Sequence, residues 1–169
     1  MIWSAIKEWI KASTNNQLGG DRIQVSLPWT SPENGLLKLN VDGSLMRSSG
    51  SIGAGGVIRD HLGNWIGGFA VNLGKWQILE AELWSLFFGL NLAITRRIMD
   101  IVVEMDSVNA VNLILSNYLN ICHLMAGLVS SCKRLLSQIP RSILHHIYRK
   151  KNAVTDRLAA WSHDIDLGC

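Results

Sequence analysis

Several features that would assign this chain to a specialised class of protein are scarce. Of 169 residues only three are cysteine (Cys122, Cys132 and Cys169), and their odd number and wide spacing fit neither a disulfide framework nor a zinc site. Charged residues make up 17% against 48% hydrophobic, a balance that predicts a folded chain rather than a disordered one. We therefore expect one domain with a single core and reduced thiols.

A long apolar run is also missing. The nearest candidate, 83–94, is shorter than the roughly 18 to 20 residues that a membrane helix needs, and polar or small residues interrupt it. Lys7 and Glu8 follow the N-terminus closely, which is unlike a signal peptide. These features predict an intracellular protein, nuclear or cytoplasmic, that is not secreted and does not contact a membrane. We expect it to be a monomer.

Basic residues are unevenly placed, although the net charge is only +3. Residues 133–157 contain seven basic side chains and a single acid, Asp156. Such a segment could neutralise the phosphates of a nucleic acid. It could equally be the solvated face of helices, and charge alone does not separate the two interpretations.

The first 30 residues are predicted to be an appendage. Ile2, Ile6, Trp9 and Ile10 have helical spacing, which predicts a short amphipathic helix over 2–12. The polar stretch 13–20 ends in Gly-Gly and is typical of a linker. We expect the domain to occupy 31–165 and a short tail to occupy 166–169.

Periodicity predicts the order of elements in the domain. Alternation over 36–41 ends at Asp42-Gly43-Ser44, which indicates a strand running into a turn. The segment 60–64 has the residues of a tight hairpin. Beyond it the apolar spacing changes to three and four, which marks a long helix. The predicted strands are 36–41, 53–59, 65–71, 98–105 and 142–148, and the helices are 79–94, 108–115, 124–136 and one that Asn152 opens.

The order βββαβααβα predicts an α/β fold, with a five-stranded mixed sheet of three antiparallel and then two parallel strands, flanked by helices. Four acids occupy strand ends and helix starts in this order: Asp42, Glu82, Asp106 and Asp156. Each alone has an ordinary explanation, as a turn, a helix N-terminal acid, a cap or a solvated acid. If the first and fourth strands are parallel neighbours, however, the acids converge. Clustered carboxylates require a cation, and a hard ion such as Mg²⁺ prefers oxygen ligands.

The motifs around these acids resemble the ordered signature of type 1 ribonuclease H. They are Val41-Asp42-Gly43-Ser44, Glu80-Ala81-Glu82-Leu83, Glu104-Met105-Asp106-Ser107, His146-Ile147-Tyr148-Arg149 and Asp156-Arg157-Leu158-Ala159. The chain is most similar to the plant reverse transcriptase-like ribonuclease H family, which is related to non-LTR retrotransposons. The strand motifs at 38–43 and 53–60 also resemble that family, and the resemblance covers about 36–162.

The resemblance implies a ribonuclease H-like fold and hydrolysis of the RNA strand of RNA–DNA hybrids. Asp42, Glu82 rather than Glu80, Asp106 and Asp156 are then the expected ligands of two Mg²⁺ ions, for which Mn²⁺ can substitute. His146, rather than His145, matches a family histidine on a mobile loop that assists proton transfer or product release.

Contacts to the substrate backbone are expected from residues near the acids, namely Gly43, Ser44, Ser107 and Asn109. Two positions depart from the family pattern: Thr155 replaces the usual Ala, and Lys150 stands where Glu is common. Residues 120–138 also lack a dense basic protrusion. The alternative is therefore a catalytically weak or inactive nucleic-acid-binding domain derived from a retrotransposon. Gly53, Gly55 and Gly56 occur in a strand, so no nucleotide-binding loop is predicted there.

Overall fold

The structure is a computed structural model that describes residues 29–116 and 123–167. The helix predicted over 2–12 and the linker over 13–20 lie outside the described residues. The division between an appendage and a domain beginning at residue 31 therefore stays a prediction.

A five-stranded sheet forms the centre of the described region. Its strands lie in the order β3-β2-β1-β4-β5. β1 pairs antiparallel with β2 and parallel with β4, while β2–β3 is antiparallel and β4–β5 is parallel. The strands are β1 (Leu37–Met46), β2 (Ser51–Arg59), β3 (Trp65–Lys75), β4 (Asp100–Met105) and β5 (Arg141–His146). The predicted mixed sheet, including the parallel pairing of the first and fourth strands, is confirmed.

Helices cover both faces of this sheet. The α-helices are α1 (Ile78–Thr95), α2 (Val108–Leu115), α3 (His123–Gln138) and α4 (Ala153–Trp161), with 3₁₀ turns at Arg149–Lys151 and Ser162–Asp164. Ser107 accepts a hydrogen bond from the Ala110 N–H, as expected of the N-cap of α2. The hairpin at 60–64 is also present, because Asp60 Oδ1 accepts hydrogen bonds from the backbone N–H groups of Leu62 and Asn64.

Several predicted strand boundaries were wrong, and two of them lie next to the acids. β1 does not turn at Asp42-Gly43-Ser44 but continues to Met46, because these residues pair with Gly55, Ala54 and Gly53 of β2. The turn follows later, where Gly50 has φ +71°. β5 ends at His146 rather than Tyr148, because its partner β4 ends at Met105 and only the Ile147 N–H still reaches a β4 carbonyl, that of Met105.

Helix α1 packs on one face of the sheet. Its Leu83, Leu86 and Leu90 are fully buried in the same core as Leu39 and Val41 of β1. Among the described helices, α1 alone is long and apolar enough to cross a membrane by composition. Its burial against β1 accounts for that composition as the core helix of this domain.

Helix α4 approaches the opposite face unusually closely, because β2 has glycines there. A Cβ on Gly55 would lie 2.5 Å from the Ala159 nitrogen, and one on Gly53 would lie 1.7 Å from Ser162 Oγ. Gly55 is the cross-strand partner of Asp42. The glycines therefore admit α4, and with it Asp156, beside the strand that carries Asp42.

Candidate active site

Asp42 lies where β1 loses one of its two neighbouring strands: it still pairs with β2 but no longer with β4. β1 pairs with β4 as far as Val41 opposite Met105, so Asp42 is the first β1 residue beyond that ladder. Asp106 follows the last residue of β4 directly. The overhang of β1 thus opens a space at the carboxyl end of β4, where ligands gather in sheets of this kind.

Three carboxylates meet in this space. One ligand oxygen from each of Asp42, Glu82 and Asp106 lies within 4.8 Å of the others. Asp42 is 2% exposed and Glu82 8%, so these are buried acids rather than a solvated acidic patch. The Gly43 N–H donates to Glu82 Oε2 at 3.2 Å, and a Cβ on Gly43 would lie 2.6 Å from the Glu82 nitrogen. Glycine at 43 therefore lets α1 approach β1 and place Glu82 at the cluster.

The two glutamates at the start of α1 have separate positions. Glu80 Oε2 accepts from the Gln77 N–H at 2.9 Å and so stabilises the helix N-terminus. Glu82, two residues further, faces the cluster. The structure thus places Glu82, the glutamate that the family resemblance favoured, beside Asp42 and Asp106.

Burial and mutual repulsion shift both buried acids strongly. Burial, followed by the charges of Glu82, Asp106 and Asp156, raises the pKa of Asp42 to about 9. Burial and then the Asp106 charge raise the pKa of Glu82 to about 8, against the lowering effect of the Gly43 hydrogen bond. Asp42 Oδ2 is buried and has no hydrogen-bond partner among the described residues.

These features fit a hard divalent cation. Its charge would offset the repulsion, and carboxylate oxygens are the ligands that Mg²⁺ and Mn²⁺ accept. Asp42, Glu82 and Asp106 are therefore the residues that could hold such an ion. The structure therefore supports an acidic metal site formed by these three carboxylates.

The fourth predicted acid, Asp156, lies close by but is paired differently. Its Oδ1 lies 2.6 Å from Arg149 Nη2, and it is not among the three acids that meet within 4.8 Å. Its charge nevertheless contributes to raising the pKa values of both Asp42 and Glu82. The prediction that four carboxylates converge is thus matched by three in contact range and a fourth, held by an arginine, at the margin.

A buried hydrogen-bond chain fixes the start of α4 near Asp42. The Asn152 amide donates to the Val41 carbonyl at 2.9 Å, and Thr155 Oγ1 donates to the Asn152 carbonyl at 2.8 Å. Asn152 and Thr155 are almost completely buried. Thr155, the residue that departs from the family's usual Ala, therefore helps to secure the turn that precedes Asp156.

His146 is exposed at the end of β5, in a strand rather than a loop, and its Nε2 lies 3.2 Å from the Asp106 carbonyl oxygen. His145 pairs with Glu104 one step earlier and is exposed in the strand. The expectation that the histidine lies on a loop was wrong, because β5 continues to pair with β4 as far as Met105. Of the two histidines, His146 lies at the cluster end of its strand.

The cluster opens into a cleft of about 440 Å³. Of the predicted substrate contacts, Gly43 and Ser107 line this cleft. Ser44 instead lies 3.1 Å from His163 Nε2, and Asn109 is exposed on the first turn of α2 without lining the cleft. Arg47 and Arg149 do line it, and the sequence analysis gave neither a role. The available signal for Arg149 was its place in the basic run seven residues before Asp156.

Comparison with known proteins agrees with this geometry. The sequence model of the reverse transcriptase-like family matches residues 40–162. An Arabidopsis thaliana protein that bears the provisional name of a ribonuclease H protein is 33% identical over an alignment of 170 residues that covers 96% of this chain. The chain spans 27% of the length of that relative.

Solved structures share the fold. The N-terminal ribonuclease H domain of Rv2228c from Mycobacterium tuberculosis superimposes with a TM-score of 0.71 at 23% identity, covering 76% of this chain and 94% of that one. Ribonuclease H1 from Halobacterium salinarum gives 0.70 at 20% identity, covering 77% and 98%. LC11 ribonuclease H1, solved in complex with an RNA/DNA hybrid, gives 0.68 at 24% identity, covering 76% and 96%. Residues 40–162, which the family model matches, include all four acids of this chain. The chain belongs to the reverse transcriptase-like family, on a ribonuclease H fold.

Proposed function

We propose that this domain is a metal-dependent endonuclease that hydrolyses the RNA strand of RNA–DNA hybrids. The observation that carries the proposal is the triad of buried Asp42 and Glu82 with partly exposed Asp106, in which one Asp42 oxygen has no partner among the described residues and which lines an open cleft. The Arabidopsis relative and the hybrid-bound structure of LC11 ribonuclease H1 support it.

Two Mg²⁺ ions, or Mn²⁺ in their place, would activate a water molecule and stabilise the leaving oxygen of an in-line displacement. The triad would hold these ions, with Asp156 as the additional ligand. Burial of Asp42 and Glu82 excludes water around the carboxylates, which strengthens their attraction for a cation. The sheet and α1 fix their positions before substrate arrives, and such preorganisation is the protein's contribution to this kind of chemistry.

His146 is the proposed group for holding or moving a proton beside the leaving oxygen. Its Nε2 lies 3.2 Å from the Asp106 carbonyl oxygen, and its side chain is exposed at the end of β5 nearest the cluster. Its position is at the edge of the cluster, so we propose an assisting role rather than an essential one.

Recognition of the hybrid would depend on backbone shape and on 2′-hydroxyl groups rather than on base sequence. Gly43 and Ser107, which line the cleft, are better placed for this than Ser44 or Asn109. Arg149 lines the same cleft, and Lys150 and Lys151 follow it on one basic 3₁₀ turn, which suits phosphate contacts. We further propose that the protein is intracellular, since such hybrids arise during nucleic-acid synthesis. We also propose that it acts as a monomer.

A cleavage assay tests the proposal. Purified protein is incubated with labelled RNA–DNA hybrid, double-stranded RNA or double-stranded DNA, each with Mg²⁺, Mn²⁺ or EDTA. We expect the RNA of the hybrid alone to be cut, and only with metal. His146→Ala should lower the rate about 10²-fold, the lower end of general acid–base effects. Hybrid binding without cleavage in either metal would reject the nuclease and favour an inactive binding domain.

A further inference from the structure

One basic side chain stands between the fourth carboxylate and the other three. Arg149 lies on the 3₁₀ turn before α4 and lines the same cleft as Asp42, Glu82 and Asp106. Its Nη2 contacts Asp156 Oδ1 at 2.6 Å. Asp156 is thus engaged by a cation of the chain itself, while the triad forms no ion pair with any of the described residues.

The influence of Arg149 extends past Asp156. Its positive charge lowers the pKa of Glu82, and the charges of Asp42 and Asp106 contribute, after Asp156, to raising the pKa of Arg149. The guanidinium therefore acts as a counter-charge for the whole acidic end of the cleft. A divalent cation entering this site and the guanidinium compete for the same carboxylates.

We propose that Arg149 is a positioning residue for Asp156. It holds this carboxylate in an ion pair when the site is metal-free, and the ion pair breaks when a divalent cation binds and takes Asp156 as a ligand. We call this exchange of partners the gate. The released guanidinium then faces the cleft, where it contacts a phosphate of the bound strand. The gating depends only on this chain and a metal ion. The contact to phosphate rests in addition on the proposed function.

The energetics allow such an exchange. The Arg149 and Asp156 side chains are 76% and 40% exposed, so their ion pair is weak and readily broken. A doubly charged ion shared with buried carboxylates attracts Asp156 more strongly than one solvated guanidinium does. Arginine also suits the second half of the cycle, because its planar fork binds phosphate oxygens in pairs.

Titration of the metal-free protein with Mn²⁺ by calorimetry tests the gate without requiring turnover. Arg149→Ala should raise Mn²⁺ affinity by roughly two- to fivefold, the range of an exposed ion pair. Arg157→Ala is the matched control, because it removes the same charge from an exposed position next to Asp156. The affinity gain should be smaller for Arg157→Ala, and the gain from Arg149→Ala should fall to about that level in an Asp156→Asn background, where only the long-range effect of the charge is left. Melting curves establish that each variant is folded.

Three results would overturn the gate: unchanged or weaker Mn²⁺ binding by Arg149→Ala, an equal gain from Arg157→Ala, or a gain from Arg149→Ala that is as large in the Asp156→Asn background as in the wild type. In the cleavage assay, Arg149→Ala should raise KM for the hybrid even though it binds metal more tightly, and Arg149→Lys should restore KM only in part. An unchanged KM would reject the phosphate contact. If the wild type does not cut hybrid, the proposed function and the phosphate contact fail, while the Mn²⁺ titration still decides the gate.

Discussion

Strand β1 carries two buried charged side chains, Lys38 near its start and Asp42 further towards its end, and their charges are balanced in opposite ways. Near its start, Lys38 Nζ contacts Glu104 Oε1 at 2.5 Å, and the Asn40 amide donates to the other oxygen of Glu104 at 2.8 Å. Two residues further along, Asp42 lies among carboxylates, with one oxygen that has no partner in the described structure. The same alternation of β1 and β4 residues therefore produces a neutralised cluster at one end and a repulsive one at the other.

The neutralised end is completed by neighbouring elements. Asn40 Oδ1 accepts from Trp29 Nε1 at 3.0 Å and from Arg59 Nη2 at 2.9 Å, and the Arg59 guanidinium lies 4.1 Å from the Trp29 ring centroid. Burial lowers the pKa of Arg59 to about 10, against the opposing charge of Glu104. Here the chain supplies its own counter-charges, so this cluster stabilises the fold and offers no ligand site.

The contrast indicates where the chain depends on something outside itself. Buried charges are normally paired, because an unpaired one carries a large desolvation cost. Glu104 meets that requirement through Lys38, whereas Asp42 and Glu82 meet it only by protonation or by binding a cation. The acidic end is therefore destabilising in the free protein, which is expected of a functional site and not of a structural ion pair.

Asp42→Asn should break the acidic end with the largest effect on activity. Hybrid cleavage should fall nearly to background, because the central ligand of the proposed metal site loses its charge. The same change should raise the melting temperature of the metal-free protein, because it removes one of three mutually repelling carboxyl groups, two of which are buried. Glu33→Gln, an exposed acid before β1, controls for the change in charge. Retention of cleavage, or a lower melting temperature in EDTA, would contradict this account of the site.

Lys38→Met should break the neutralised end, and here the loss is in stability. Removing Lys38 breaks the buried ion pair with Glu104 and leaves Arg59 as the nearby counter-charge, so the free energy of unfolding should fall by up to about 3–5 kcal/mol. Urea denaturation measures the change. Adding Glu104→Gln should recover much of the loss, since the unpaired charge is then gone, and Mn²⁺ affinity of folded protein should stay unchanged in both variants. A cost below about 1 kcal/mol would show that this pair is not the buried structural pair described here.

The sequence predicted the acidic end better than the neutralised one. Asp42, Glu82 and Asp106 follow from periodicity and motif order, because strand ends and helix starts are local features that a parallel pairing brings together. The Lys38–Glu104 pair joins residues 66 positions apart in two strands and has no local signature. Gly55 was identified only as a strand residue, since its need for close approach arises from α4, which comes a hundred residues later in the chain.

Two failures of prediction have different causes. Asp42-Gly43-Ser44 is typical of a turn, yet pairing with β2 extends the strand through it, so here a tertiary partner overrides the local preference. The Arg149–Asp156 pair joins residues seven positions apart and depends on the orientation of two partly exposed side chains, which sequence spacing does not specify.

The pH dependence of stability provides the last way to compare the two ends, and its expected effect is the smallest. Asp42 and Glu82 have folded pKa values raised to about 9 and about 8, above their ordinary values of 3.8 and 4.5. A raised carboxyl pKa means that the folded state binds the proton more tightly than the unfolded state does. The stabilisation from this proton is therefore complete at low pH and is lost as pH rises towards the folded pKa. Metal-free protein should therefore become less stable between pH 7 and 9.

That interval separates the acids from other groups. Burial lowers the pKa of His163, and this acts with the opposite sign at lower pH, while the raised pKa of Cys132, about 12, and the lowered pKa of Arg59, about 10, affect only higher pH. Urea denaturation in EDTA at pH 7, 8 and 9 measures the slope. Asp42→Asn should flatten it, and saturating Mn²⁺ should reduce or reverse it, because the ion binds the deprotonated carboxylates. Lys38→Met should leave the contribution of Asp42 and Glu82 to the slope in place, since Lys38 contacts Glu104 and lies outside the acidic cluster. Equal slopes in the wild type and Asp42→Asn would mean that the acids are not the source of the pH dependence, and would remove the electrostatic difference on which the comparison of the two ends depends.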